Sequence, residues 1–284
     1  MKYIRPISIA ALSLALSGCY EPKVTTPQLC ERHPDLHCET LNISDGHCQA
    51  QRNTLIQQRL AVLQSPSDHN KINEYYALGE YQSCLALVSQ IEFKHPNELH
   101  RTRVEALMQT GADKAHLAQE LQDSKEPETL YFLWSELGNT SARRALLDLE
   151  GTEALETTHL QYALATIYAN IDNPRTLALL NHALELVQQG EPVEPQILNS
   201  LANTYYQQGD KKRAYLWTRI AQKSGSNVVS ESDLKRLYEF DDDTYQQLGA
   251  LSSQIITALQ QGEYQTRLVE DALPNKQSEA NTIR

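Results

Sequence analysis

The sequence predicts an all-α protein, an α-solenoid of stacked helical hairpins behind a short N-terminal segment tied by disulfides. Three observations carry this. From about Gln51 onward apolar residues recur at helical offsets, as in NTLIQQRLAVLQ with Leu55, Ile56, Leu60 and Leu63. The stretch NEYYALGEYQSC (73–84) returns in altered form as NTYYQQGDKKRA (203–214), keeping an asparagine, two tyrosines, a glycine and a small residue at the same offsets. Beyond Cys19, the cysteines are Cys30, Cys38, Cys48 and Cys84, and the first three lie in a stretch with little apolar material to form a core.

Residues 1–18 read as a secretory signal. Lys2 and Arg5 make a basic start, an apolar run spans Ile7 to Leu16, and Ser17 and Gly18 precede Cys19. The run is about half the roughly 20 residues that a membrane-spanning helix needs. Leu16-Ser17-Gly18-Cys19 resembles the bacterial lipobox. That resemblance implies cleavage before Cys19, a diacylglycerol on its sulfur and a further amide-linked chain. Two or more acyl chains hold a protein stably on a membrane. Tyr20 stands where an inner-membrane retention signal has Asp, so the expectation is an outer-membrane lipoprotein facing the periplasm.

Residues 19–50 are expected to be an irregular segment. Pro27, Pro34, Asn42, Ser44, Asp45 and Gly46 punctuate it without a helical period. In an oxidising envelope the even number of cysteines fits two disulfides, in any of three pairings. If Cys84 joins one of the early three, the segment is fastened onto the first hairpin. His33, His37 and His47 interleave with these cysteines, but His37-Cys38 and His47-Cys48 are adjacent pairs, a poor spacing for four converging zinc ligands. No metal and no cofactor is expected.

Residues 51–226 carry the repeats, with Ser65-Pro66-Ser67-Asp68 as a stop-and-cap cluster after the first helix. Besides the two quoted copies, ATIYANIDNPRTLALLNHAL (165–184) is a third. RVEALMQTGADKAHLAQELQ and LYFLWSELGNTSARRALLDL read as two more degenerate hairpins. Turns are expected at Gly79, Gly111, Gly138 and Gly209. The pattern resembles tetratricopeptide repeats, pairs of antiparallel helices with a small residue where the helices touch. The last copy matches best, with Leu198, Leu201, Ala202 and Tyr205, then Gly209-Asp210, then Ala214 and Ala221. It departs from that pattern at Thr218 and Ser226, where an aromatic residue and a proline belong. One hairpin cannot bury its own apolar face, so neighbours must stack. Residues 227–273 are expected to form a terminal helical cap and 274–284 a polar tail. Asp241-Asp242-Asp243 lacks the D-x-D-x-D-G form of a calcium loop and reads as helix capping.

Charge narrows the partners. Removing residues 1–18 takes away two basic residues and no acid, which leaves 23 Lys and Arg against 36 Asp and Glu, a balance of −13. No basic run is present, so nucleic acid is not an expected partner. No nucleophile elbow, zinc-protease helix or phosphate-cradling glycine loop occurs, and no catalytic residue is assigned. Glu136 and Glu185 are candidate carboxylates for the alternative of a cell-wall enzyme. Metal or redox handling by the Cys/His segment is the other alternative. The resemblance to tetratricopeptide proteins implies a groove lined by the first helix of each hairpin, here Asn73, Tyr76, Tyr168, Asn199, Asn203 and Tyr206, receiving a protein or peptide of the envelope. Lipobox, Cys-rich segment and degenerate repeats together resemble uncharacterised lipoprotein families of Gram-negative bacteria.

Overall fold

A computed structural model describes residues 25–91, 98–226 and 230–274. The signal sequence, Cys19 and the tail from residue 275 lie outside the described residues. Within them the protein is all-helical, and no strand occurs. The chain divides into two compact units, the first comprising Met1–Pro66 and Tyr76–Ala112, the second Ser67–Tyr75 and Asp113–Arg284.

The first unit opens with helix α1 (Thr26–Arg32) and two single-turn 3₁₀ helices (Pro34–Leu36 and Cys38–Thr40), where an irregular segment was expected. Thr25 builds a capping box with Gln28, and Pro27 sits early in the helix, where its missing N–H goes unnoticed. Helix α2 (Gln49–Gln64) follows, and Leu36, Leu55, Ile56, Leu78, Tyr81 and Leu85 are buried without exposure. The disulfides are Cys30–Cys38, inside the segment, and Cys48–Cys84, which bolts the start of α2 to α3 (Asp68–Val88).

A buried polar network surrounds the second bridge. Arg103 of α4 (Glu98–Leu121) is 2% exposed and donates from Nε to Asp45 Oδ2 at 2.5 Å and from Nη1 to the Val88 carbonyl at 2.9 Å. Burial by itself raises the Asp45 carboxyl, but the hydrogen bonds from Arg103 and from the His47 N–H override this and hold it well below the usual range. Asn42 links the turn to α3, with its N–H donating to the Tyr81 hydroxyl and its Oδ1 accepting from it. A stretch too poor in apolar residues to make a core is thus held by two covalent bridges and a satisfied ion pair.

The second unit contains three helical hairpins, α5 (Pro127–Ser135) with α6 (Thr140–Asp148), α7 (Thr158–Tyr168) with α8 (Asn173–Glu185), and α9 (Pro195–Gln207) with α10 (Lys211–Lys223). Each turn joins a residue of positive φ to a short side chain that caps the next helix. Gly138 (φ 68°) precedes Asn139, whose side chain accepts from the N–H groups of Ser141 and Ala142. Gly209 (φ 76°) precedes Asp210, which accepts from the Arg213 N–H. Asn170 (φ 63°) is followed by Asp172, which accepts from the Arg175 N–H. Ala214 and Ala221, expected as small residues where the helices touch, are fully buried, and so are Ala163 and Ala183 of the preceding hairpin.

Two expected turns are corrected. Gly79 lies inside the continuous helix α3 and Gly111 inside α4, so NEYYALGEYQSC is one helical stretch, not a hairpin. At Gly79 the reason is the residues that follow: Glu80 and Tyr81 offer no short acceptor at the N-cap, so nothing there rewards leaving the helix. Gly111 is followed two residues on by Asp113, as Asn170 is by Asp172, and capping does not account for the continuity of α4. A helical glycine costs only about 1 kcal/mol.

Beyond α10, helices α11 (Glu231–Tyr238), α12 (Asp242–Gln261) and α13 (Arg267–Ala272) complete this unit. Asp241 caps α12, accepting from the Thr244 N–H at 2.7 Å. The core here includes Leu198, Leu216, Trp217, Ile220, Leu248 and Ile255. Tyr215 meets Tyr238, Phe240 and Tyr245 at ring distances of 5.4–5.8 Å. Gly262 ends α12 at φ 70°, and a Cβ there would stand 2.7 Å from the Gln189 backbone nitrogen, so only glycine fits.

Candidate functional site

The candidate site is a cleft between α7 and α9, the first helices of two consecutive hairpins in the second unit, floored by α8. Helical period decides its lining. On α9, Ile197, Leu198, Leu201 and Ala202 turn into the core, which leaves Ser200, Asn203 and Gln207 at i, i+3 and i+7 along one stripe. On α7, Leu160, Ala163, Leu164 and Ile167 are buried, and Tyr162, Thr166 and then Asn170 form the opposite wall.

The cleft has a volume of about 180 Å³, and no charged side chain among the described residues lines it. Gln207 Nε2 donates to Asn170 Oδ1 at 2.9 Å, bridging the end of α9 to the turn after α7. Burial pushes the Tyr162 phenol up against a hydrogen bond with Ser200 that lowers it, so the phenol stays protonated at neutral pH and able to donate. The Asn203 carboxamide has no hydrogen-bond partner among the described residues. A carboxamide offers one acceptor and two donor hydrogens, the complement of a peptide group. Such a cleft suits a polar, uncharged segment; it brings together no nucleophile and base.

Of the six expected groove residues, Asn203 alone lines this cleft. Tyr206, on the same helix, is 58% exposed outside it. Tyr168 is engaged elsewhere, its hydroxyl donating to Glu150 Oε2 at 2.7 Å and its ring lying 4.4 Å beneath the Arg175 guanidinium. Asn199 donates to the Ser226 hydroxyl at 3.2 Å. Asn73 contacts the ring of His69 at 3.0 Å on α3, and Tyr76 falls in the other unit. Asn73 and Tyr76 relied on aligning the first copy as a hairpin, and the uninterrupted α3 removes the basis for that alignment. Tyr162, Thr166, Asn170, Ser200 and Gln207 were not anticipated, although their spacing opposite the buried stripe, i, i+4 and i+8 from Tyr162 and i and i+7 from Ser200, was the available signal.

Neither catalytic candidate reaches the cleft. Glu185 accepts from the Thr266 N–H at 2.8 Å and hydroxyl at 2.7 Å. Burial raises its carboxyl but these bonds prevail and hold it low, the wrong direction for a general acid at neutral pH. His182 Nε2 lies 2.7 Å from Glu156 Oε2 in a partly exposed pair. Among the described residues no group of three or more His, Cys, Asp or Glu is placed to hold a metal ion, and all four cysteines are paired. No helix of the described residues is long and apolar enough to cross a membrane.

A family model described as a protein of unknown function (DUF2989) matches residues 16–219. The chain belongs to the DUF2989 family. The match takes in the last residues before Cys19, the disulfide-tied first unit and the three hairpins through most of α10, and so includes every residue of the cleft. No curated protein and no solved structure matches this DUF2989 chain.

Proposed function

We propose that this chain is an envelope lipoprotein, anchored through acyl chains on Cys19, that acts as a tetratricopeptide-like module holding an extended segment of a protein or peptide partner. The carrying observation is the charge-free cleft between α7 and α9 with the unpartnered Asn203 carboxamide in its wall. A peptide backbone laid there exchanges hydrogen bonds with Asn203 and the neighbouring hydroxyls, and side chains beyond it meet the exposed ring of Tyr206. The anchor keeps the module at the membrane surface, where partners are confined to two dimensions. The Leu16-Ser17-Gly18-Cys19 stretch supports the anchoring.

Two measurements test this. A photo-crosslinking residue at position 203, in intact cells, is expected to trap a discrete partner that the same residue at exposed Glu263 does not trap. Asn203→Ala with Tyr206→Ala should abolish that capture with the melting temperature unchanged. Equal trapping at both positions, or capture that survives the double substitution, refutes the assignment. Cys19→Ala should release the protein from the membrane fraction and remove incorporated palmitate.

A further inference from the structure

The first unit holds a larger cavity, about 700 Å³, beside α1, the 3₁₀ turns and the start of α2. This lies within the range of small-molecule sites. Pro27, the exposed Ile43 and the Cys30–Cys38 disulfide give it an apolar wall, and among the described residues Arg52 and Glu39 are the only charged side chains lining it.

Arg52 is 5% exposed. Its Nη1 donates to the Asn42 carbonyl and Oδ1, both at 2.9 Å, and to the His47 carbonyl at 3.2 Å. All are neutral acceptors. No carboxylate pairs with it among the described residues, in contrast to Arg103 and its Asp45. A buried cation without a counter-charge is costly, and neutral carbonyls offset only part of that cost. An anionic group in the adjoining cavity supplies the missing charge. Glu39 sits at the exposed rim, its carboxylate 3.3 Å from His37 Nδ1, and disfavours a ligand that is purely anionic. A ligand that carries both charges suits both residues.

We propose that this cavity binds a small apolar zwitterion, an amino acid or short peptide with free termini, whose carboxylate faces Arg52, whose ammonium faces Glu39, and whose side chains rest on Pro27, Ile43 and the disulfide. The proposal is independent of the cleft in the second unit.

The test is calorimetric titration of the purified full-length protein with leucyl-leucine, its C-terminal amide and its N-acetyl form. The free dipeptide is expected to bind one-to-one. Each blocked form is expected to bind about tenfold more weakly, the scale of one charge-assisted hydrogen bond. Because Arg52 also holds Asn42 and His47 in place, the amide removes its contact from the ligand side without touching the fold. Glu39→Gln, at an exposed position, should weaken the free dipeptide about tenfold and leave the N-acetyl form unchanged. No saturable binding of leucyl-leucine at millimolar concentration, equal affinity for all three forms, or indifference to Glu39→Gln overturns the proposal.

Discussion

Removing the two disulfides separately, as Cys48→Ala with Cys84→Ala and as Cys30→Ala with Cys38→Ala, tests what holds the first unit together. Cys48–Cys84 closes a loop of sequence separation 36 and Cys30–Cys38 one of 8. On the chain-entropy account the first restricts the unfolded chain by about 3.8 kcal/mol and the second by about 2.5 kcal/mol. Each pair contains one buried cysteine, Cys48 at 7% exposure and Cys38 at 8%, and one half-buried partner. Packing losses are therefore similar and cancel in the comparison. The difference of about 1.3 kcal/mol rests on loop length alone. Urea unfolding followed by far-ultraviolet circular dichroism, on the oxidised wild type and both variants, measures it. Loss of the longer bridge should lower the midpoint more. A larger loss from removing Cys30–Cys38, or no difference, refutes loop closure as the source of stability. Peptide mapping without reduction checks the pairing itself.

Two glycines expected to behave alike from sequence should respond oppositely. Gly209→Ala forces a left-handed residue at φ 76° and should cost about 1–2 kcal/mol. Gly111→Ala places a Cβ in ordinary contact with Gln82 Nε2 at 3.7 Å inside a helix and should add about 0.5–1 kcal/mol, both read as melting temperature. Asp45→Asn removes the carboxylate that the buried Arg103 guanidinium holds and should cost about 3–5 kcal/mol. Because the Asp45 carboxyl is held low in the folded state, its contribution is complete above the ordinary carboxylate value of about 4 and disappears as pH falls further. Asp45→Asn should therefore flatten the acid limb of a plot of urea midpoint against pH.

How far the fold was legible depended on whether the signal was local. Periodic apolar residues, the Ser65–Asp68 break and the pairs Gly138-Asn139 and Gly209-Asp210 mark helices and turns through chemistry contained in a few consecutive residues. The copy at Gly79 misled because similarity of letters outweighed the one position that matters, the capping side chain after the glycine. The cleft was half legible. Asn203 was named, but its partners Tyr162, Ser200 and Gln207 only become a site when α7 and α9 stand side by side.

By itself the sequence determined that the chain is helical, that hairpins turn at Gly138 and Gly209, and that its cysteines suffice for two bridges. Only the tertiary structure decided which cysteines meet, that Arg103 buries its charge on Asp45 across 58 positions of chain, and that Arg52 lacks such a partner. Secondary structure follows from interactions within a turn or two. Pairing of thiols and compensation of charge depend on distances that close only when remote segments pack.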